Sequence, residues 1–308
     1  MITGEPMLEN SRSRRCRVLL ACLTILFTMA LVGCSGRASA VNGNSFRQGD
    51  VKRGEYLAKV FSCQECHTVR QADGIHLEGK FLLAGGEPYR APDGSLVHSA
   101  NVTIASQYSE QVLDSVIRGR LAYKFWMPTV LYNGMAADDM RDLLAYIKTL
   151  HPVLRPLPDN HLPPNLVLPG PNQPVPIPEH QPPVGTVERG EYLARMFACL
   201  DCHSPRDSTG GYDQARLYEG GGLQMPLPDG SVLVASNLTP DPQTGLAAWS
   251  DAEIIRATRT GVARDGRKLN HVMPYVGAYR DMTDQDAADL VRFLRSLKPV
   301  KKSWNSHP

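Results

Sequence analysis

The chain has 308 residues, with 33 Lys and Arg against 31 Asp and Glu, and a formal net charge of +2. Such a balance provides no basic surplus for nucleic acid, so we predict no nucleic-acid partner. The length is sufficient for two domains of about 100 residues each, with a linker between them.

The first 33 residues have the pattern of an export signal. Four arginines precede an apolar run over residues 18–32, which is short for a membrane span. The run leads into Leu31-Val32-Gly33-Cys34, which resembles a bacterial lipoprotein signal. We predict a signal peptide over residues 1–33, a lipid on Cys34 and a tether over 34–50. The protein would then be anchored by that lipid in the bacterial cell envelope, on the periplasmic side of the membrane. The alternative is an uncleaved anchor helix.

A first domain is predicted over residues 51–152, and near its start lies C-x-x-C-H, the attachment motif of a c-type haem. Cys63 and Cys66 would bind the haem through covalent thioether bonds, and His67 would bind its iron. A zinc site or a redox disulfide is the alternative reading of the cysteine pair. A zinc site needs a second ligand pair at short range, and a thioredoxin-like site needs a βαβ context. The sequence has neither.

The same motif recurs in a second predicted domain, residues 187–300, which is followed by a tail over 301–308. Here Cys199 and Cys202 would hold the haem and His203 its iron. The residues before the two motifs also match, as Arg53-Gly54-Glu55-Tyr56-Leu57-Ala58 and Arg189-Gly190-Glu191-Tyr192-Leu193-Ala194. We therefore predict two covalently bound haem c groups.

Residues 153–186 are rich in proline, which favours extended backbone and excludes helix. We interpret them as a linker between the two domains. Its apolar residues suggest that it lies on the domains; they are Leu162, Leu166, Val167 and Leu168.

The internal repeat continues beyond the haem motifs. Pro92-Asp93-Gly94-Ser95 recurs as residues 228–231, Asn101 as Asn237, and Met127-Pro128 as Met273-Pro274. Each copy ends in an apolar pattern of helical period, and Thr283 with Asp286 can cap the second of these helices. No segment alternates like a sheet, so we predict an all-α fold.

This order of elements resembles two class I cytochrome c domains in tandem. The resemblance implies that the first and last helices of each domain cross at a small residue facing an aromatic. Those pairs would be Gly54 with Tyr146 and Gly190 with Phe293. It also implies methionine as the sixth iron ligand.

Met127 and Met273 match the position of that methionine. A methionine more often fills a core, which we expect for Met140 and Met196. The alternative ligands are His98 or Met135 in the first domain and His271 or Met282 in the second.

A narrower resemblance is to the cytochrome c subunits of membrane-bound bacterial dehydrogenases for alcohols, gluconate and nicotinate-type substrates. It rests on an ordered series in the second domain: residues 236–241, Thr244-Gly245, Trp249-Ser250-Asp251, Gly261, Met273-Pro274-Tyr275 and Pro299-Val300. The first domain lacks the Thr-Pro-Asp run and has Tyr108 near the expected tryptophan.

The narrower resemblance implies an electron carrier and not an enzyme, with redox proteins as partners: a dehydrogenase catalytic subunit as donor, and a quinone-linked acceptor or an oxidase. Two alternatives stay open. A dihaem cytochrome c peroxidase also has two such motifs but needs an accessible iron, and a cytochrome c subunit of a terminal oxidase has the same redox chemistry.

Overall fold

A computed structural model describes residues 48–90, 94–121, 127–166, 170–227 and 229–301 of the chain. The predicted signal peptide, Cys34 and almost all of the tether lie outside the described residues. Within the described ranges, no helix is both long and apolar enough to cross a membrane.

The chain contains two series of elements with a similar order. The first half contains α1 (Val51–Val60), α2 (Cys63–His67), β1 (Pro88–Arg90), β2 (Leu96–His98), α3 (Glu110–Ile117), α4 (Thr129–Tyr132) and α5 (Ala137–Thr149). The second contains α6 (Val187–Met196), α7 (Cys199–His203), β3 (Gln224–Pro226), β4 (Val232–Val234), α8 (Asp251–Thr260) and α9 (Asp284–Ser296). Short 3-10 turns at Gly79–Phe81, Ala105–Gln107 and Tyr279–Asp281 complete them.

The first and last helices of each half cross at a glycine. A Cβ atom built on Gly54 would lie 1.9 Å from the carbonyl oxygen of Asp142 and 2.8 Å from Cβ of Tyr146. On Gly190 it would lie 2.0 Å from the Asp289 oxygen and 2.6 Å from Cβ of Phe293. The predicted crossings are confirmed, because only glycine lets the two helix backbones approach so closely.

The last helix of each half contributes apolar side chains to the core of that half. On α5 the buried residues include Leu143, Leu144 and Ile147, and on α9 they include Ala287, Leu290, Val291 and Leu294. Thr283 caps α9, since its side chain accepts the Asp286 N–H at 3.1 Å. The predicted amphipathic helices are thus confirmed.

The expectation that the sequence contains no sheet was wrong in detail. Each half has one two-stranded antiparallel hairpin, β1 with β2 and β3 with β4. Each strand has three residues, too few for alternation to be visible in the sequence. The repeated Asp-Gly-Ser string forms the turn of the second hairpin, where the Asp229 carboxylate accepts the Ser231 N–H at 2.9 Å.

The proline-rich linker lies along the first half through hydrogen bonds; two of its apolar residues, Val167 and Leu168, lie outside the described residues. It begins against the loop before α3, where Val153 donates its N–H to Thr103 Oγ1 and its carbonyl accepts from the Asn101 amide. His161 pairs with Leu96 of β2 through two backbone hydrogen bonds of 2.8 Å. Its end covers the start of α5, where the Pro178 and Glu179 carbonyls accept the N–H groups of residues 137 and 138. Hydrogen bonds therefore hold the linker against the first half at several points along its length.

Candidate haem sites

Both cysteine pairs lie on a single helical turn that starts from a left-handed residue. Ser62 before α2 has φ 63° and ψ 19°, and Ala198 before α7 has φ 60° and ψ 18°. The cysteines are three residues apart on each turn, so their side chains share one face of the helix. The histidine is the last helical residue in both.

The four motif cysteines are not in disulfides. Burial, with a smaller effect of the neighbouring thiol, raises the pKa of Cys63 and of Cys199 to about 12. Among the described residues no group of three or more His, Cys, Asp or Glu side chains could hold a metal ion, which disfavours zinc.

Each motif histidine is oriented by a backbone carbonyl. Nδ1 of His67 lies 2.8 Å from the Ala100 carbonyl oxygen, and Nδ1 of His203 lies 2.7 Å from that of Ser236. A carbonyl can only accept, so Nδ1 carries the proton in both rings and Nε2 keeps its lone pair. Desolvation lowers the pKa of both imidazoles, against a smaller raising effect of these hydrogen bonds. A neutral ring with a fixed Nδ1–H is the form that ligates a metal through Nε2.

An apolar cavity of about 390 Å³ lies beside the first motif. Its volume falls within the range of cofactor pockets, about 300–1,000 Å³. Cys63, His67 and Met127 line it together, and its remaining walls are mostly apolar, including Leu83, Val116, Leu143, Ile147 and Leu157. A cysteine, an imidazole and a methionine around one apolar space fit a covalently bound haem.

The predicted sixth ligands occupy matching turns. The Met127 carbonyl accepts the Thr129 N–H at 2.7 Å, and the Met273 carbonyl accepts the Tyr275 N–H at the same distance. The first half retains one rival to Met127, since Met135 also lines the cavity, whereas His98 lies on β2 and is not among the lining residues.

The second half offers its candidates in and after one turn. His271 and Met273 lie in the same half-buried turn, and Met282 is buried. The assignment of Met127 and Met273 as ligands stays a prediction, with Met135 as the rival that the geometry of the first cavity supports.

Two arginines that the sequence analysis missed hold the segments after these methionines. Arg118, which is 1% exposed, donates to the carbonyls of Asn133 and Met135 at 3.0 and 2.8 Å. Arg259 donates to the carbonyl of Met282 in the second half. Both stand at the end of the helix that precedes the methionine. A repeat alignment would have found them only if it allowed a gap, because the two intervening loops differ in length.

Asn101 and Asn237, noted only as a repeat, also have matching roles. Each amide donates to the chain that follows the last helix, to the carbonyl of Val153 in the first half and of Val300 in the second. Each also accepts the N–H of the threonine two residues on. The asparagines therefore fix the loop that supplies the carbonyl for the motif histidine, since Ala100 and Ser236 directly precede them.

Comparison with known proteins extends this picture. The cytochrome c family matches residues 187–298. The chain is 28% identical, over 92% of its length, to the fructose dehydrogenase cytochrome subunit of Gluconobacter japonicus. It is 38% identical over 38% of its length to the gluconate 2-dehydrogenase cytochrome c subunit of Pantoea cypripedii, and 32% identical over 40% to a diheme cytochrome c-type protein of Cereibacter sphaeroides.

The chain spans 60%, 24% and 40% of the lengths of these three relatives, respectively. The family match falls on the second half, which the sequence analysis singled out as carrying the fuller motif series. Residues 187–298 are therefore a cytochrome c domain, in a chain that resembles the cytochrome c subunits of bacterial dehydrogenases.

Proposed function

We propose that the chain is a membrane-tethered dihaem c-type cytochrome that carries electrons from the catalytic subunit of a dehydrogenase to the respiratory chain. The chain would be the carrier and not the catalyst. The observation that supports this most strongly is the duplication of one arrangement: a cysteine pair on a helical turn, and a histidine whose Nδ1–H is held by a carbonyl.

The bound haem irons would supply one-electron chemistry between the ferric and ferrous states. The residues of this chain would bind the irons and shape the surroundings of the haems. His67 and His203 present Nε2, and the apolar walls around the first motif exclude water and lower the local dielectric. Methionine sulfur at the sixth position favours the ferrous state more than a second histidine would. With both axial positions filled, no substrate would reach the iron, which separates this proposal from a peroxidase.

The partner and the location are part of the same proposal. The names of the similar proteins, which include a fructose dehydrogenase cytochrome subunit, favour a dehydrogenase as electron donor. The lipoprotein-like sequence before Cys34 favours attachment to the envelope membrane on the periplasmic side. The acceptor would be a quinone-linked component or an oxidase.

The test is to express the full chain in a bacterium that matures c-type cytochromes and to count haem per chain by pyridine haemochrome absorbance. We expect two covalent haems, reversible one-electron reduction of each, and negligible turnover of hydrogen peroxide. A preparation with one haem, or rapid peroxide turnover by the folded protein, would contradict the proposal. Co-purification with a dehydrogenase catalytic subunit, as opposed to an oxidase core, would identify the donor side.

A further inference from the structure

The two haem motifs lie close to the contact between the halves. Phe61 and Phe197, each two residues before the first motif cysteine, have ring centroids 6.1 Å apart and are fully buried. The backbone of Gly277 in the second half lies so near Glu65 of the first motif that an added Cβ would meet that carboxylate. The separation of the two motifs thus depends on how firmly the halves are docked.

The docking contacts are reciprocal and centre on two buried aspartates. Asp139 is the third residue of α5 and Asp286 the third residue of α9, and they are 1% and 4% exposed. Each binds an arginine of its own half: Arg53 donates to Asp139 at 2.9 Å, and Arg189 to Asp286 at 2.7 Å.

Each aspartate also accepts a tyrosine hydroxyl from the opposite half. Tyr56 of α1 donates to Asp286 at 2.5 Å, and Tyr192 of α6 donates to Asp139 at 2.6 Å. The repeated Arg-Gly-Glu-Tyr string therefore supplies both donors. Its arginine binds the aspartate of the same half, and its tyrosine binds the aspartate of the opposite half.

The same hydroxyls complete the caps of the two helices. Tyr56 accepts the N–H of Thr283, the N-cap of α9, at 3.3 Å, and Tyr192 accepts that of Ala136, the N-cap of α5, at 3.2 Å. In an ordinary capping box a glutamate or glutamine at the third position reaches back to the N-cap N–H. Aspartate is shorter, and here the hydroxyl from the other half bridges the gap. Ala136 has no side chain that could cap α5 itself.

We propose that Tyr56 and Tyr192 are positioning residues: Tyr56 caps α9 of the second half, and Tyr192 caps α5 of the first. Together these two caps fix the haem motifs at the separation needed for direct electron exchange between them. The inference rests on the proposed function. In that exchange a ferrous centre in one half would lose one electron and a ferric centre in the other half would gain it, with no proton and no further reactant. Residues that only stabilise one half would leave this exchange unchanged.

Both phenols stay protonated under physiological conditions, as a donor to carboxylate requires. Desolvation, followed by the hydrogen bond and charge of Asp286, raises the pKa of Tyr56 to about 12. Desolvation, followed by Asp139, raises the pKa of Tyr192 well above its ordinary value.

The test uses Tyr56→Phe, Tyr192→Phe and their combination in the full haem-loaded chain. Tyr212→Phe is the matched control, because Tyr212 donates to Asp201 at 2.9 Å within one half. Hydrogen exchange should accelerate about tenfold at the Thr283 amide in Tyr56→Phe and at the Ala136 amide in Tyr192→Phe, and at neither in Tyr212→Phe. The crossed pattern is specific, since each change acts on a helix of the other half.

The functional measurements are the haem–haem couplet in Soret circular dichroism and the rate of electron redistribution after flash photoreduction, which should not depend on protein concentration. In the double variant the couplet should be lost and the redistribution slowed, while the two reduction potentials and the methionine-to-iron band stay unchanged.

Each other outcome has a defined meaning. If the amides lose protection but the couplet and the rate match the control, the positioning role is wrong. If amide protection is unchanged, the cap itself is wrong. If the double variant does not accumulate, the single variants decide by the same criteria. Absence of haem in the unmodified chain would instead contradict the proposed function.

Discussion

At the scale of single residues, the ability of the two motif histidines to bind a metal depends on which imidazole nitrogen is free. The Ala100 and Ser236 carbonyls fix the proton on Nδ1 of His67 and His203, which leaves the Nε2 lone pair available to a metal. Two methionines line the first cavity, Met127 and Met135. The Met-Pro turn shared with Met273 favours Met127.

Met127→Leu and Met135→Leu distinguish the two sulfurs. Leucine preserves volume, so Met135→Leu should cost less than about 1.5 kcal/mol of unfolding free energy. We expect only Met127→Leu to abolish the methionine-to-iron charge-transfer band of one centre in the absorption spectrum. Loss of the band in Met135→Leu alone would reverse the assignment.

The combined change Cys199→Ala and Cys202→Ala tests the covalent attachment in the second half. Intact-mass measurement should show one covalent haem in place of two, since both thioether bonds of that site are lost. The first motif provides the internal control, because its absorbance should persist. Two retained covalent haems would mean that these two cysteines do not carry the attachment.

At the scale of elements, the crossing of the first and last helices sets the frame for each site. Gly54 and Gly190 allow contact with the carbonyls of Asp142 and Asp289. The side chains of these aspartates in turn accept the N–H groups of residues 50 and 185, just before α1 and α6. The helix that leads into each haem motif is therefore held at both its crossing point and its start.

Gly54→Ala and Gly190→Ala should each lower the free energy of unfolding by about 3 kcal/mol or more, because the added Cβ would lie about 2 Å from a backbone oxygen. Gly79→Ala is the control, since an added Cβ there meets nothing within 4 Å. Its effect should stay within about 0.5 kcal/mol. Denaturant unfolding followed by far-UV circular dichroism measures all three, and equal losses would contradict the crossing argument.

At the scale of the whole molecule, two features tie the repeats together. The linker is held against the first half by Asn172. The Asn172 side chain donates to the Arg118 carbonyl, and the Asn172 backbone N–H donates to the Gly119 carbonyl. The reciprocal tyrosine contacts then join the two halves directly. We therefore expect the two repeats to move as a pair.

Cys34→Ala tests the proposed lipid anchor. If a lipid on Cys34 provides the anchor, the variant should move from the membrane to the soluble fraction on cell fractionation, with its haem content unchanged. Ser35→Ala is a suitable control beside it. Persistent membrane attachment of Cys34→Ala would favour an uncleaved anchor helix.

Features that depend on neighbouring residues were predictable from the sequence alone. They include the C-x-x-C-H motifs, the helical periodicity of α5 and α9 and the extended linker. The crossing glycines were predicted only from the resemblance to cytochrome c domains.

Contacts between distant segments could be seen only in the folded chain. The carbonyls that orient the histidines lie 33 residues further on, and Tyr56 meets Asp286 across 230 residues. The short hairpins and the approach of both Met127 and Met135 to one cavity also depend on packing. No local pattern encodes such contacts, because they form only when distant segments of the chain pack together.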